Sequence, residues 1–170
     1  MVLRRSLRLL PLLFAACGGG GGGSVSPPPV TTASRLTAPP VSIVAGSNGA
    51  ELVVDLVAAT STAPALLQLE VELPAALTLP ANDRLLAVAA VPNLDGDWKQ
   101  GRFVVLCGDA SNRDAAPLPS GTLFRLRLEA TLPRQVGSHI VRLRELRAAT
   151  AGGHSAPVDG TPVEVQVEVL

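Results

Sequence analysis

The sequence predicts an all-β domain, an antiparallel sandwich of two sheets, between residues 41 and 170. Short segments in this region alternate apolar and polar residues with a period of two, and none keeps a helical period of 3.6 for long. Turns rich in Pro, Gly, Asn and Asp separate these segments. Hydrophobic residues make up 47% of the chain but aromatic residues only 2%, so Ala, Val and Leu must fill the core.

Residues 1–16 are typical of a secretory signal peptide. A positively charged start precedes a short apolar stretch, and Ala15 and Ala16 supply small residues at the cleavage site. The apolar stretch is far shorter than the about 20 residues that a membrane-spanning helix needs. The positive charges come from Arg4, Arg5 and Arg8.

The stretch Phe14-Ala15-Ala16-Cys17 resembles the bacterial lipobox, in which a cysteine receives lipid and becomes the mature N-terminus. The resemblance implies that Cys17 is lipidated and that the protein is exported and anchored to the cell envelope. Stable anchoring needs more than one acyl chain, and each buried methylene contributes about 0.8 kcal/mol. Because Gly18 rather than Asp follows the cysteine, the resemblance implies the outer membrane in a Gram-negative host.

Residues 17–40 are predicted to form a linker between the lipid and the domain. Six glycines are followed by SVSPPPVTTASRLTAPP, so a flexible segment precedes a stiffer, polyproline-like one. A coil of this length would reach roughly 25–30 Å. No strand precedes the glycines and no Lys-Ser or Lys-Thr follows them, which excludes a phosphate-binding loop.

The first predicted strands of the domain lie in its N-terminal half. VSIVAG (41–46) opens it. ELVVDLVA (51–58) is apolar on both faces apart from Glu51 and Asp55, as expected of an interior strand. LLQLEVEL (66–73) alternates: its glutamine and glutamates lie on one face, and the other face carries Leu67, Leu69, Val71 and Leu73. Each such strand buries one face and leaves the other in water.

The remaining predicted strands are 101–108, 122–130, 139–146 and 162–170. GRFVVLCG (101–108) is interior-like and contains Cys107, which we interpret as a small core residue because free cysteine is among the most buried residue types. The next two strands alternate with arginines outside, and the last one places four valines on one face. These arginines are Arg125, Arg127, Arg142 and Arg144.

Residues 41–169 resemble a cohesin domain, a jelly-roll sandwich related to some carbohydrate-binding modules. The resemblance rests on the order of strands and turns in SIVAGSNG, ELVVDLVAAT, LLQLEVELPAALTLP, GRFVVLCGDAS, PLPSGTLFRLRLEA and SHIVRLRELRAATAGGHSAPVDGTPVEVQV. It implies non-catalytic adhesion, in which one sheet face receives a calcium-loaded dockerin module. The Tyr-Asp of the usual turn is absent from residues 73–77, so the resemblance assigns dockerin binding to no particular residue.

Charge and motifs exclude several functional classes. Without residues 1–16 the chain has 11 basic and 14 acidic residues, and this negative balance does not suit nucleic-acid binding. The two histidines, His139 and His154, accompany no Gly-x-Ser-x-Gly motif, so we expect no enzyme. Asp95-Gly96-Asp97 and Asp109 could suit calcium, but they lack the spacing of an EF-hand and are more typical of turns. We expect no cofactor and no metal.

The four outward arginines are the candidate protein-binding site. If residues 122–130 pair with residues 139–146, the guanidinium groups share one surface with Glu129 and Glu145. Arginine suits bidentate recognition of carboxylates and is enriched at protein interfaces. The alternative is an ordinary solvated sheet face. The sequence therefore predicts a binding or scaffold module that captures a protein partner, dockerin-like or another envelope protein.

Trp98, in the predicted loop NLDGDWKQG, is the candidate for carbohydrate binding. Phe103 and Phe124 lie in strands and are interpreted as core residues, which leaves Trp98 as the aromatic ring available to a sugar. It could equally cap the end of the sandwich. Two alternative functions therefore stay open: a carbohydrate-binding module of the envelope, and a structural subunit of an envelope or secretion assembly.

Overall fold

The computed structural model describes residues 33–47, 49–88, 91–110 and 114–170, which form two β-sheets packed against each other. The strands are β1 (Ser34–Thr37), β2 (Val41–Ile43), β3 (Ala50–Val57), β4 (Leu66–Glu72), β5 (Leu77–Thr78), β6 (Leu85–Ala87), β7 (Asp95–Lys99), β8 (Arg102–Gly108), β9 (Gly121–Ala130), β10 (Gly137–Ala149), β11 (Val158–Asp159) and β12 (Val163–Val169). The all-β sandwich that the sequence predicts is confirmed.

Both sheets have six strands. Sheet A has the order β11-β1-β3-β9-β5, and β6 also pairs with β9. Sheet B has the order β2-β12-β10-β4-β8-β7. The prediction of an antiparallel sandwich holds for every described pair except two, because β1 runs parallel to β11 and β2 runs parallel to β12.

The core lies between the sheets and consists mainly of Leu, Val and Ala. Alternation brings one face of each long strand inward, and burial of these aliphatic side chains stabilises the fold by roughly 1.5–3 kcal/mol for each large one. Phe103 and Phe124 are fully buried, as the sequence predicts. The four valines of the last strand face the core, where Val165, Val167 and Val169 are buried and Val163 is half-buried.

Residues 34–37 correct the predicted boundary between linker and domain. They form β1, which pairs with β3, and the side chain of Leu36 is only 2% exposed. The buried Ser34 Oγ accepts a hydrogen bond from the Ala59 amide at 3.0 Å. The linker prediction was wrong here because the prolines on both sides hid a strand of four residues.

Consecutive strands β9 and β10 lie in different sheets. β9 pairs with β3, β5 and β6 in sheet A, whereas β10 pairs with β4 and β12 in sheet B. The register of β10 against β4 shifts between Glu145 and Arg147, which marks a bulge. The outward residues of β9 and β10 therefore face opposite sides of the sandwich.

Candidate functional site

Three ion pairs cross four neighbouring strands on the outer side of sheet B. Arg102 on β8 pairs with Glu70 on β4 at 2.9 Å, and Arg144 on β10 pairs with Glu72 on β4 at 3.2 Å. On the other side of β10, Arg142 pairs with Glu164 on β12 at 2.9 Å. We call the outward side of β8, β4, β10 and β12, with these three pairs, the ion-pair face.

Glu70 is the one charged residue that is buried in the part of the chain described. Its side chain is 6% exposed, whereas that of Arg102 is 57% exposed. One terminal nitrogen of Arg102 donates to both carboxylate oxygens at 2.9 Å. These hydrogen bonds and the negative charge raise the pKa of the Arg102 guanidinium. The pair therefore satisfies a carboxylate that the neighbouring strands shield from water.

Arg142 and Arg144 each keep about half of their side chain in solvent. Arg142 donates through Nε to Glu164, and this hydrogen bond raises the pKa of its guanidinium. Beside them, Ile140 is 43% exposed and contributes to a shallow depression of about 420 Å³. The depression is also lined by Ser138, Glu164 and Gln166. The face thus combines cations with an exposed apolar side chain.

Arg125 and Arg127 lie on sheet A, so the prediction that the four arginines share one surface was wrong. That prediction required pairing between β9 and β10, which the topology does not contain. Arg125 instead pairs with Glu51 on β3 at 3.2 Å. Glu129 follows on the same strand of sheet A, while Glu145 lies at the bulge of β10 in sheet B. Protein binding by either pair of arginines stays a prediction.

Trp98 lies on β7, an edge strand of sheet B, and not in the loop that the sequence predicts. Its register partner is Phe103, and the two rings meet edge to face with centroids 5.5 Å apart. The side chain of Trp98 is still 42% exposed. Both sequence interpretations therefore describe part of its position: it covers the edge of the core and presents a ring to solvent.

The histidines do not form a catalytic group in the structure. His139 lies near the start of β10, where its Nε2 is 2.9 Å from the carbonyl oxygen of Gln135. His154 follows the end of the same strand, in a turn whose Thr150 amide donates to the His154 carbonyl. The two rings therefore belong to opposite ends of a strand of 13 residues.

Cys107 and the acidic residues complete the set of candidates. Cys107 is fully buried, and desolvation raises the pKa of its thiol to about 12. Asp95 and Asp97 lie on β7, and Asp109 follows β8. Within the described ranges, no three His, Cys, Asp or Glu side chains come together in a group that could hold a metal ion.

The predicted signal peptide and Cys17 lie outside the described residues. In the part that is described, no helix has the length and apolar character needed to span a bilayer.

Sequence reasoning missed the burial of Glu70 and the position of Ile140. Alternation in residues 66–73 correctly placed Glu70 on the polar side of β4. Its burial depends on which strands flank β4, namely β8 and β10, and these come from distant parts of the chain. Ile140 follows the same alternation, since its neighbour Val141 faces the core, and this signal could have identified it as an outward apolar residue.

Comparison with solved structures identifies the fold. The chain matches no known family model and no curated protein. Its structure is similar to the seventh ScaB type I cohesin from Pseudobacteroides cellulosolvens, with a TM-score of 0.65, 12% identity, and coverage of 81% of this chain and 92% of that one. The structure is also similar to a non-cellulosomal cohesin from the archaeon Archaeoglobus fulgidus, with a TM-score of 0.61 and 15% identity. That match covers 81% of this chain and 91% of that one.

A third similar structure is a cohesin in complex with its partner. The Coh-OlpA–Doc918 complex from Clostridium thermocellum, a type I cohesin–dockerin complex, gives a TM-score of 0.63 and 15% identity over 81% of this chain and 99% of that one. At these identities the comparisons show the fold, which is that of cohesins.

Proposed function

We propose that this cohesin-fold domain is a non-catalytic module that captures a protein partner on the ion-pair face. A lipid on Cys17 holds it at the cell envelope. The observation that carries the proposal is the arrangement of Ile140 beside Arg142 and Arg144 on one broad sheet. The existence of cohesin-fold structures solved with dockerins supports a protein as the partner.

The chemistry of the face fits a partner with carboxylates around an apolar side chain. Each arginine uses part of its guanidinium for a glutamate of the same face and keeps about half of its side chain in solvent. A guanidinium carries five N–H donors in a planar fork, so further carboxylates can bind to it. Ile140 offers an apolar contact at the depression between β10 and β12. A dockerin-like module or another envelope protein would meet these requirements.

Site-specific photo-crosslinking in host cells tests the proposal. A photoreactive amino acid at position 140 should form an adduct with the partner. The matched control is position 57, because Val57 is an outward apolar residue of sheet A with 48% exposure, close to the 43% of Ile140. We expect adducts from position 140 and none from position 57. One protein species in the adduct indicates a docking module, whereas a series of self-adducts indicates a structural subunit.

Charge reversal provides the second arm of this experiment. The variant Arg142→Glu/Arg144→Glu should lose the adduct from position 140, because partner carboxylates are then repelled. The matched control Arg125→Glu/Arg127→Glu makes the same change in charge on sheet A and should keep the adduct. Equal adducts from both faces, or an adduct that survives reversal at 142 and 144, would contradict the proposal. Titration with the Doc918 dockerin then shows whether the partner belongs to that class.

Metabolic labelling tests the anchor separately. An alkyne-bearing palmitate analogue should label the full chain, and Cys17→Ser should abolish the label and release the protein from the membrane fraction. Labelling that persists in the Cys17→Ser variant would refute lipidation at this residue while leaving the proposed protein-binding face untouched.

A further inference from the structure

A groove of about 400 Å³ lies beside Trp98, at the β8 side of the ion-pair face. It is lined from sheet B by Trp98, Arg102 and the end of β4, and from sheet A by β5. The segment 73–75 closes one side of it. The groove therefore lies at an open edge of the sandwich, where the two sheets approach each other, and its size falls within the range of small-ligand sites.

The ring of Trp98 is positioned before any ligand arrives. Its edge-to-face contact with the buried Phe103 holds it at an interplanar angle of 61°. Phe103 is itself held, since the guanidinium carbon of Arg84 lies 5.5 Å from its ring centroid. A ring that is already ordered loses little conformational entropy on binding. Its faces, which carry negative charge density, can receive the C–H groups of a ligand.

Hydrogen-bond donors and acceptors both line the groove beside Trp98. Arg102 bonds Glu70 through one terminal nitrogen, which leaves the rest of its guanidinium to act as a donor. Glu72 pairs with Arg144 through Oε1, which leaves its second oxygen as an acceptor. The hydroxyl of Thr78 donates to the carbonyl oxygen of Leu79 at 3.4 Å, which leaves the hydroxyl oxygen as an acceptor. With one cation and one carboxylate, the lining favours a neutral ligand.

We propose that this groove binds one sugar ring of a neutral polysaccharide. A pyranose has an apolar C–H face that fits the Trp98 ring and hydroxyl groups at its rim that pair with both donors and acceptors. Three other depressions in the described residues contain no aromatic side chain, which makes the Trp98 groove the better fit. The groove shares Arg102 and Glu72 with the ion-pair face, whereas Ile140 and Arg142 do not line it.

Fluorescence of the full-length protein tests the proposal directly, because Trp98 is the only tryptophan of the chain. The probes are hexaoses of β-1,4-glucan, β-1,4-xylan, chitin and α-1,4-glucan. At least one should shift or quench the emission in a saturable way at concentrations up to about 10 mM. Calorimetry should then show that Trp98→Ala abolishes binding of that hexaose.

Two conservative variants separate recognition from structure. Glu72→Gln and Thr78→Val should each weaken binding about threefold to tenfold, the effect of one lost hydrogen bond. Glu164→Gln changes a comparable carboxylate of the ion-pair face and should bind as the native protein does. A lack of response to all four hexaoses, native affinity in Trp98→Ala, or a response only to a proline-rich peptide would overturn the assignment. The results for Trp98→Ala and Thr78→Val do not bear on crosslinking at position 140, because neither residue belongs to the ion-pair face.

Discussion

The outer faces of the two sheets carry the same kinds of residue in different surroundings. On sheet A, Arg125 and Glu51 pair with side-chain exposures of 50% and 46%. On sheet B, Arg102 is similarly exposed, but its partner Glu70 is almost completely covered. Both pairs join neighbouring strands, and both carboxylates lie on the outward side of their strand.

The difference shows that neighbouring strands decide whether an outward residue remains in water. Glu70 lies near the middle of sheet B, between β8 and β10, whose side chains cover it from both sides. Glu51 lies near the start of β3. The second neighbour of β3, which is β1, pairs with it only near its other end, so no strand of the described residues covers Glu51 on that side. An outward glutamate paired with an arginine therefore gives a solvated ion pair on one sheet and a shielded carboxylate on the other.

The largest effect on stability is expected from removing the cation that pairs with Glu70, compared with removing the cation that pairs with Glu51. Arg125→Met should change the free energy of unfolding by about 1 kcal/mol or less, as is usual for exposed ion pairs. Arg102→Met should destabilise the domain more, because the shielded Glu70 carboxylate then has neither its cation nor much water around it. Urea denaturation of both variants measures the difference.

A double variant shows whether the shielded charge is the cause. Adding Glu70→Gln to Arg102→Met removes that charge and should restore part of the lost stability. If Arg102→Met lowers the free energy of unfolding no more than Arg125→Met does, the shielding of Glu70 makes no difference to stability.

The next effect concerns association at the β7 edge of sheet B. Alternate amides of an edge strand face away from its single neighbour, and those of Gly96 and Trp98 donate to the carboxylates of Asp95 and Asp97 at 2.8 Å. These carboxylates compete with any incoming strand. Asp95→Ala/Asp97→Ala should therefore form dimers or larger species in analytical ultracentrifugation. Lys99→Ala, which also removes a charge from β7, is the control and should stay as the native protein.

A smaller effect is expected at the bulge of β10. Burial raises the pKa of the Glu145 carboxyl, so the folded protein binds this proton more tightly than the unfolded chain does. The stabilisation linked to this group is complete below the unfolded pKa and is lost as the pH rises through the folded pKa. Glu145→Gln should raise the unfolding temperature at pH 7 and leave it unchanged below about pH 4. A lower unfolding temperature at pH 7 would show that the carboxylate is stabilised in the fold.

The smallest effect is expected at Cys107, which lies in the core between the two sheets. Its buried thiol, with a pKa of about 12, should not react with iodoacetamide in the folded Cys17→Ser protein at pH 8. Urea should expose it to full alkylation, as mass spectrometry would show. Rapid labelling of the folded protein would mean that the sheets open more readily than the packed core suggests.

The sequence predicted most of the core, because alternation over seven or more residues leaves little doubt about which side is buried. Leu126 and Leu143 are examples: each lies between outward arginines and is fully buried. The two-residue strands β5 and β11 were missed since so short a segment has no measurable period. β7 was missed because its Asp-Gly-Asp sequence is typical of a turn.

The candidate site was less predictable than the fold. The outward position of each arginine followed from local sequence and is correct in all four cases. Their grouping required knowing that the chain changes sheets between β9 and β10, which depends on long-range packing. The groove at Trp98 likewise joins β4, β5, β7 and β8, and no local pattern brings these segments together.

The first described segment of the chain has a mechanical consequence. β1 joins sheet A and β2 joins sheet B, with only residues 38–40 between them. A pulling force applied ahead of Ser34 therefore meets hydrogen bonds of both layers in close succession instead of peeling away a single edge. A tethered module that is pulled by a bound partner would therefore resist tension better than one whose first strands both lie at the edge of a single sheet.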